Sequence, residues 1–247
     1  MDFKNQHIVI PGRSRGIGAQ VARILAHQGA ILSILYRSDS KSVHELIRSL
    51  GDAVSVLAFE CDIRDRVQVD AAFRDIFADM GAIDALVNNA GIWLPTPIQE
   101  TDPEVRDLIL DVNLRGLMNC CESVLPFLKK SEASIVNISS TAGQRGESGY
   151  SAYAASKGAV ISYTKSLAAE LGVRNIRVNA VAPGWVYTDM AREAIDQRRD
   201  QILAEIPLNR VAEPKDIAEP VCFLLSKGAR FITGEILNVN GGSVLCG

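Results

Sequence analysis

The sequence predicts an α/β fold in one unit, residues 1–247: a doubly wound parallel sheet of about seven strands with helices on both faces. Three observations carry this expectation. Short apolar runs alternate with longer stretches of helical length. Several runs are almost continuously apolar, as strands covered on both faces must be. The first run empties into a glycine-rich turn, a device suited to the carboxyl edge of such a sheet. At 247 residues the chain is near the upper limit for one compact domain of this class.

In chain order, the predicted strands are His7–Ile10, Ala30–Tyr36, Val54–Phe59, Ala82–Val87, Ser134–Ile138, Ile176–Val181 and Ile236–Val239. Between them lie helical segments at Ile17–Gln28, Asp65–Met80, Pro103–Leu125 and Ala152–Leu171. In the first helix Ile17, Val21, Ile24 and Leu25 recur at helical spacing. Right-handed crossovers of this length make the sheet parallel and place ligands beyond the carboxyl ends of the strands.

Composition narrows the partners. Hydrophobic residues make up 47% of the chain, and the formal net charge is −3 from 26 basic and 29 acidic residues. Neither nucleic acid nor an anionic membrane is implied by that balance. The N-terminus lacks the basic-then-apolar pattern of a signal peptide, and no apolar run approaches the roughly 18 residues of a membrane span. A cytoplasmic protein is expected. The five cysteines, Cys61, Cys120, Cys121, Cys222 and Cys246, show no metal-binding spacing, so reduced thiols and no metal site are expected.

The turn after the first strand reads Gly12-Arg13-Ser14-Arg15-Gly16-Ile17-Gly18. Glycines at 12, 16 and 18 permit close backbone approach to a phosphate, and the helix that follows offers free N–H groups and a positive dipole end. The same residues fit a hydrolase nucleophile elbow, G-x-S-x-G. That chemistry needs a histidine late in the chain, and the only histidines are His7, His27 and His44. A hydrolase is therefore excluded. After the second strand come Tyr36, Arg37 and Ser38, where NAD enzymes commonly place an acid for the ribose 2′-hydroxyl. Arg37 can instead pair with a 2′-phosphate, and Arg15 can add a second positive charge. NADP(H) is the expected cofactor, although Asp39 lies just beyond.

Tyr153 and Lys157 stand four residues apart, on one face of a helix. A cation about 4 Å from a phenol favours the phenolate by about 4 kcal/mol at an effective dielectric of 20. That is roughly 3 pK units, enough to bring tyrosine from about 10 towards neutrality. By itself this pair is common on exposed helices, but its company is not. Ser139-Ser140 follows the strand Ser134–Ile138, Asn88-Asn89-Ala90-Gly91 follows another, Asn113 lies in a third segment, and Pro183-Gly184 follows a fourth.

Jointly these motifs resemble the short-chain dehydrogenase/reductase family over nearly the whole chain, with the 3-oxoacyl-[acyl-carrier-protein] reductases as the nearest subgroup. The resemblance implies a Rossmann-type fold and a role for each matched position. Tyr153 would protonate the carbonyl oxygen, Lys157 would hold the nicotinamide ribose, Ser140 would bond the substrate oxygen, and Asn113 would position a water. Ser14, Gly16 and Ile17 would complete the phosphate turn. Asp62 and Ile63 would contact the adenine, and Asn89, Ala90 and Gly91 would line the ribose. Pro183, Gly184, Val186 and Thr188 would flank the nicotinamide. Where the family usually has threonine, this chain has Pro11, which alters bonding near Asn88–Gly91.

The implied activity is NADPH-dependent reduction of a ketone, a 3-oxoacyl thioester above all. Another alcohol, sugar, steroid or quinone is the alternative, and a non-catalytic dinucleotide-binding sensor or scaffold is a third reading. That last class usually loses tyrosine or lysine, and both are present. Trp185–Pro207 would form a lid near residues 185–207. Trp93, Leu94, Tyr150, Trp185 and Met190 would line an apolar pocket. Reductases of that subgroup receive the acidic acyl carrier protein on two arginines. Arg174 matches one, while Ser131 stands at the other beside Lys129 and Lys130. Pairing of the helices near Pro103–Leu125 and Ala152–Leu171 implies a homotetramer.

Overall fold

A computed structural model describes residues 1–12, 15–51, 54–129 and 132–245. Its strands are β1 (His7–Pro11), β2 (Ile31–Tyr36), β3 (Val56–Glu60), β4 (Ala85–Asn88), β5 (Ser134–Ile138), β6 (Arg177–Pro183) and β7 (Ile236–Val239). Every pairing is parallel, in the order β3-β2-β1-β4-β5-β6-β7. The order turns back between β1 and β4, so the crevice at their carboxyl ends is the topological switch point. All seven predicted strands are present, with ends that move by up to three residues.

The helices are α1 (Gly16–His27), α2 (Ser40–Leu50), α3 (Arg66–Met80), α4 (Pro103–Leu110), α5 (Gly116–Val124), α6 (Ala142–Arg145), α7 (Ser151–Leu171), α8 (Arg192–Gln197), α9 (Arg199–Ala204) and α10 (Pro214–Leu225). Their starts follow side-chain chemistry. Asp65 accepts from Val67 N (2.9 Å) and Gln68 N (3.3 Å) at α3, and Asp102 accepts from Glu104 N (2.8 Å) before Pro103 at α4.

One apolar layer lies on each face of the sheet. Ile8, Ile10, Leu32, Ile34 and Val87 pack against Val21 and Leu25 of α1 and Ile217 and Val221 of α10. On the other face Val9, Leu35, Leu86, Ile135 and Val178 meet Phe73 and Ile76 of α3, Val124 of α5 and Val160 of α7. Complete burial of each such side chain contributes about 1.5–3 kcal/mol.

One sequence expectation needs correction. Pro103–Leu125 is not one α-helix: residues Asp111–Arg115 form a π-helical turn between α4 and α5. Such turns insert an extra residue and shift the side chains beyond them. The segment expected as a lid, residues 185–207, carries α8 and α9. Ile195, Ile202 and Ile206 form a small separate core there, packed by Trp185, Ala191 and Val211.

Candidate active site

The carboxyl ends of β1, β4, β5 and β6 open on one cavity. It is lined by Arg15, Gly16 and Ile17, by Asn89 and Gly91, by Ser140, Tyr153 and Lys157, and by Pro183, Gly184, Val186 and Thr188. A second cavity continues towards β2 and β3. Gly12, Arg15, Tyr36, Arg37, Ser38, Asp62, Ile63, Ala90 and Gly91 line that one. Arg15 and Gly91 border both, so the two cavities meet at the β1–β4 crevice.

The glycines have measurable reasons. A Cβ on Gly12, whose φ is +133°, would stand 2.7 Å from Ala90 N. A Cβ on Gly91 would stand 3.3 Å from Asn113 Oδ1 and 3.5 Å from Lys157 Nζ. The cradle is thus bare backbone where an extended dinucleotide would approach, and its residues fit that group.

Each expected residue has a place, with three exceptions. Ser14 lies outside the described residues. Gly18 is buried in the first turn of α1 and lines neither cavity. Asn113 is fully buried behind the wall. Its Oδ1 accepts from Ile92 N (2.8 Å), and its Nδ2 donates to Ile92 O (2.9 Å) and Ser156 Oγ (3.2 Å). Both amide hydrogens are spent on the protein, so this side chain fixes the β4 end to α7 rather than donating to a water.

The serines divide their work. Ser139 Oγ donates to the Lys157 carbonyl (2.9 Å) and braces α7. Ser140 Oγ accepts from Ala142 N (3.1 Å) and remains on the cavity wall. Lys157 Nζ donates to Ile138 O (2.8 Å) and stands 5.9 Å from the centre of the Tyr153 ring.

The expected depression of the Tyr153 pKa is overturned. Burial pushes the phenol up to about 12, against a smaller lowering from hydrogen bonding to Ser140, and the Glu147 charge adds to the rise. Lys157 is not among the groups acting on it. Burial pulls the ammonium down to about 8, and its proton is directed at the Ile138 carbonyl. At neutral pH Tyr153 is therefore a fully protonated donor.

The cofactor rim also differs from expectation in one respect. Arg15 is not free: it pairs with Asp39 (2.8 Å) and Asp189 (3.5 Å). Arg37 is exposed and makes no ion pair among the described residues. Asp62 is held below the usual carboxylate range, chiefly by hydrogen bonds from Arg64. Pro11 ends β1, a central strand, and its missing N–H leaves the β1–β4 ladder one donor short at that end. Its carbonyl accepts from Asn89 N (3.2 Å) and Ala90 N (3.0 Å), so the backbone link to β4 is intact. The buried Oδ1 of Asn88 has no partner among the described residues.

Of the proposed apolar lining, Trp93, Trp185 and Met190 face the first cavity. Tyr150 lies behind, stacked on Trp93 at 4.2 Å and 8°, and Leu94 does not reach it. The sequence reading missed Arg145 and Glu147, which also line the cavity. Their signal was position: both lie in the short interval between Ser140 and Tyr153.

A dinucleotide-sized cleft at the switch point, with a tyrosine and a lysine one helical turn apart in it, defines an oxidoreductase of the Rossmann class. The comparisons give the family. Residues 12–243 match the family model described as Enoyl-(Acyl carrier protein) reductase. The 3-oxoacyl-[acyl-carrier-protein] reductase FabG of Staphylococcus epidermidis is 37% identical over 242 residues, 96% of this chain and 98% of that protein. The namesake from Staphylococcus aureus strain Mu50 is 36% identical over 236 residues, 95% and 96% of the two chains. A Brucella melitensis structure titled short-chain dehydrogenase/reductase SDR:Glucose/ribitol dehydrogenase superposes with a TM-score of 0.95. It is 33% identical, with 100% of both chains covered. The chain belongs to the short-chain dehydrogenase/reductase family, whose members are oxidoreductases using a nicotinamide dinucleotide. No helix among the described residues is long and apolar enough to cross a membrane.

Proposed function

We propose that this protein is an NADPH-dependent carbonyl reductase acting on a ketone, with a 3-oxoacyl thioester as the first substrate to test. The observation that carries the reading is the convergence of Ser140, Tyr153 and Lys157 on one cavity wall that continues into the glycine cradle. When bound, the dinucleotide supplies a hydride. The chain does the rest. Gly12, Gly16, Ile17, Asn89, Ala90 and Gly91 hold the phosphates and ribose. Tyr36, Ser38, Asp62 and Ile63 enclose the adenosine. Pro183, Gly184, Val186 and Thr188 border the nicotinamide, and Lys157 anchors its ribose.

Ser140 orients the substrate oxygen, and Tyr153 gives it a proton as its negative charge develops. Asn113 acts through others, tying Ile92 to Ser156 and so to the Tyr153 turn. A donor aimed at oxygen suits a ketone better than the alkene named by the family model. Parallel assays of acetoacetyl and crotonyl thioesters with NADPH distinguish the two. Reduction of the crotonyl compound alone overturns this reading.

Preference for NADPH rests on Arg37, the exposed cation at the adenosine rim. Arg37→Ala should lower the NADPH-over-NADH ratio of kcat/KM by about 30–100-fold, equivalent to about 2–3 kcal/mol for a charge-assisted bidentate bond. A wild-type preference for NADH refutes it. The helices α8 and α9 serve as a substrate lid in residues 185–207 of a single catalytic domain, 1–247.

In this reading an acyl carrier protein is the partner that delivers the thioester. Arg174 is exposed and donates to Leu125 O (3.3 Å), Lys129 pairs with Asp84 (2.7 Å), and Lys130 and Ser131 lie outside the described residues. The proposed assembly is a cytoplasmic homotetramer, which light scattering tests directly.

A further inference from the structure

The substrate cavity holds a charge that an apolar acyl chain does not call for. Glu147 sits on its wall in the turn between α6 and α7, half-buried. Glycines on both sides, Gly146 at φ +79° and Gly149 at φ +78°, shape that turn. The Tyr150 N–H closes it on the Glu147 carbonyl (3.1 Å), and Thr96 N binds Gly149 O (2.7 Å).

The carboxylate is held in place by the aromatic corner. Trp93 Nε1 donates to Glu147 Oε2 (3.2 Å). The Trp93 ring is fixed by the Tyr150 stack on one side and by Trp185 edge-on at 5.9 Å and 89°. Two arginines lie close enough to act on Glu147 without bonding it. Arg145 pairs with Glu205 (3.7 Å), and Arg198 lies over the Trp185 ring at 5.5 Å.

Oε1 thus receives no hydrogen bond from the described residues, and it is not among their sealed unpartnered atoms. A carboxylate oxygen on a cavity wall that no described residue bonds is open to a donor carried by a ligand. Arg145 and Arg198 already stand on the cationic side of this carboxylate, so a neutral donor fits where a further cation would be repelled. Glu147 also lies near enough to the reacting end to raise the Tyr153 pKa.

We infer that Glu147 is a specificity-determining residue whose free oxygen receives a hydrogen bond from a neutral O–H or N–H on the substrate, selecting hydroxyl- or amide-bearing ketones over keto acids. The inference rests on the reductase reading and names the substrate class for that same site. Its logic is differential: a donor satisfies the oxygen, a methyl group leaves it unpaired, and a carboxylate repels it.

The chain has two tryptophans, Trp93 and Trp185, and both line this cavity. Their fluorescence reports occupancy without turnover. The probes are 4-hydroxy-2-butanone, 2-pentanone, acetoacetate and the N-acetylcysteamine thioester of acetoacetate, whose amide supplies an N–H. For wild-type protein, affinity by tryptophan quenching and kcat/KM with NADPH should both favour the hydroxyketone over 2-pentanone by about tenfold, with acetoacetate weakest. In Glu147→Gln, the ratio of hydroxyketone to acetoacetate should fall by at least about tenfold, on KM rather than kcat. Glu147→Ala should lose the preference for the hydroxyketone and the amide thioester alike.

Ratios unchanged in both variants overturn the inference while leaving the reductase reading intact. A wild-type preference for acetoacetate also overturns it and assigns the recognition to Arg145. If no ketone is reduced yet quenching shows the Glu147-dependent order, the reductase reading fails and the recognition stands. Gain of the thioester alone identifies an amide as the donor, and gain of the hydroxyketone alone identifies a hydroxyl.

Discussion

Replacing Lys157 by methionine should abolish turnover and make the protein more stable at neutral pH. Lys157 is 4% exposed, and among the described residues its ammonium has one acceptor, the Ile138 carbonyl at 2.8 Å. Burial lowers its pKa from 10.5 to about 8. At about 1.4 kcal/mol per unit, keeping the charge in the folded state at pH 7 costs about 3 kcal/mol. Methionine fills similar volume without that cost but forfeits the hydrogen bond, which returns about 1–2 kcal/mol. The net gain is about 1–2 kcal/mol, or a few degrees in Tm for a chain of this length. The direction with pH follows from proton binding. Below about pH 8 folded and unfolded chains both hold the proton, and wild type bears the whole penalty. Between about 8 and 10.5 the unfolded chain alone holds it, so wild-type stability gains on the variant as pH rises. Thermal unfolding of both proteins from pH 7 to pH 10, followed by circular dichroism, should show the variant ahead at pH 7 and the gap closing upward. A variant less stable at pH 7, with a gap independent of pH, would refute the electrostatic account of this lysine.

Two other substitutions test the surroundings. Gly143→Ala would place a Cβ 2.5 Å from the Lys157 carbonyl carbon and 2.6 Å from Gly158 N, backbone that cannot step aside cheaply. A loss of about 1–3 kcal/mol or more is expected, with Tm down by about 2–4 °C for each kcal/mol and kcat reduced; an unchanged Tm would contradict the close contact of α6 with α7. Pro11→Thr would bring a hydroxyl and an N–H to the end of β1, whose carbonyl bonds Asn89 N and Ala90 N next to Asn88, and Asn88 Oδ1 is buried with no partner among the described residues. Denaturant unfolding should show a gain of about 1 kcal/mol, and a loss would mean that the proline ring is the better neighbour.

The sheet was legible because its central strands are buried on both faces. Ile8–Ile10, Ile34–Leu35 and Ile135–Val136 leave no polar alternation, as strands covered on both sides by helices require. The site residues were legible because strand ends are fixed by topology, so Gly12, Asn89, Ser140 and Pro183 had to share one edge. What stayed hidden depends on contacts distant in sequence. The π-helical turn at Asp111–Arg115 has no composition signal. The partnership of Arg15 with Asp189 spans 174 residues. The direction of the Tyr153 shift is hidden for the same reason. Helical spacing places Lys157 beside the phenol, but the Ile138 carbonyl that claims the ammonium comes from β5, and burial then dominates both groups.

The placement of α7 shows how this fold secures its chemistry. An apolar helix face can slide or rotate against a sheet with little change in buried area. Here the contacts that forbid sliding are polar and directional. Ser139 Oγ bonds the Lys157 carbonyl, Asn113 bonds Ser156, and Ser156 Oγ in turn bonds Tyr153 O at 2.7 Å. Further along, Asn137 Nδ2 donates to Thr164 Oγ1 (2.9 Å), and Thr164 Oγ1 to Val160 O (2.8 Å). At the start of the helix, Thr96 Oγ1 accepts from Ala152 N (3.1 Å). Breaking any of these leaves a buried polar group unpaired, at about 1–3 kcal/mol. A one-residue rotation of α7 would break the bonds from Thr96, Asn113, Asn137 and Ser139 together, while the two within α7 would turn with it; the loss is comparable to the whole stability of a domain. The register that sets Tyr153 and Lys157 on the cavity wall is therefore held by hydrogen bonds from Thr96, Asn113, Asn137 and Ser139, none of which needs to touch the substrate.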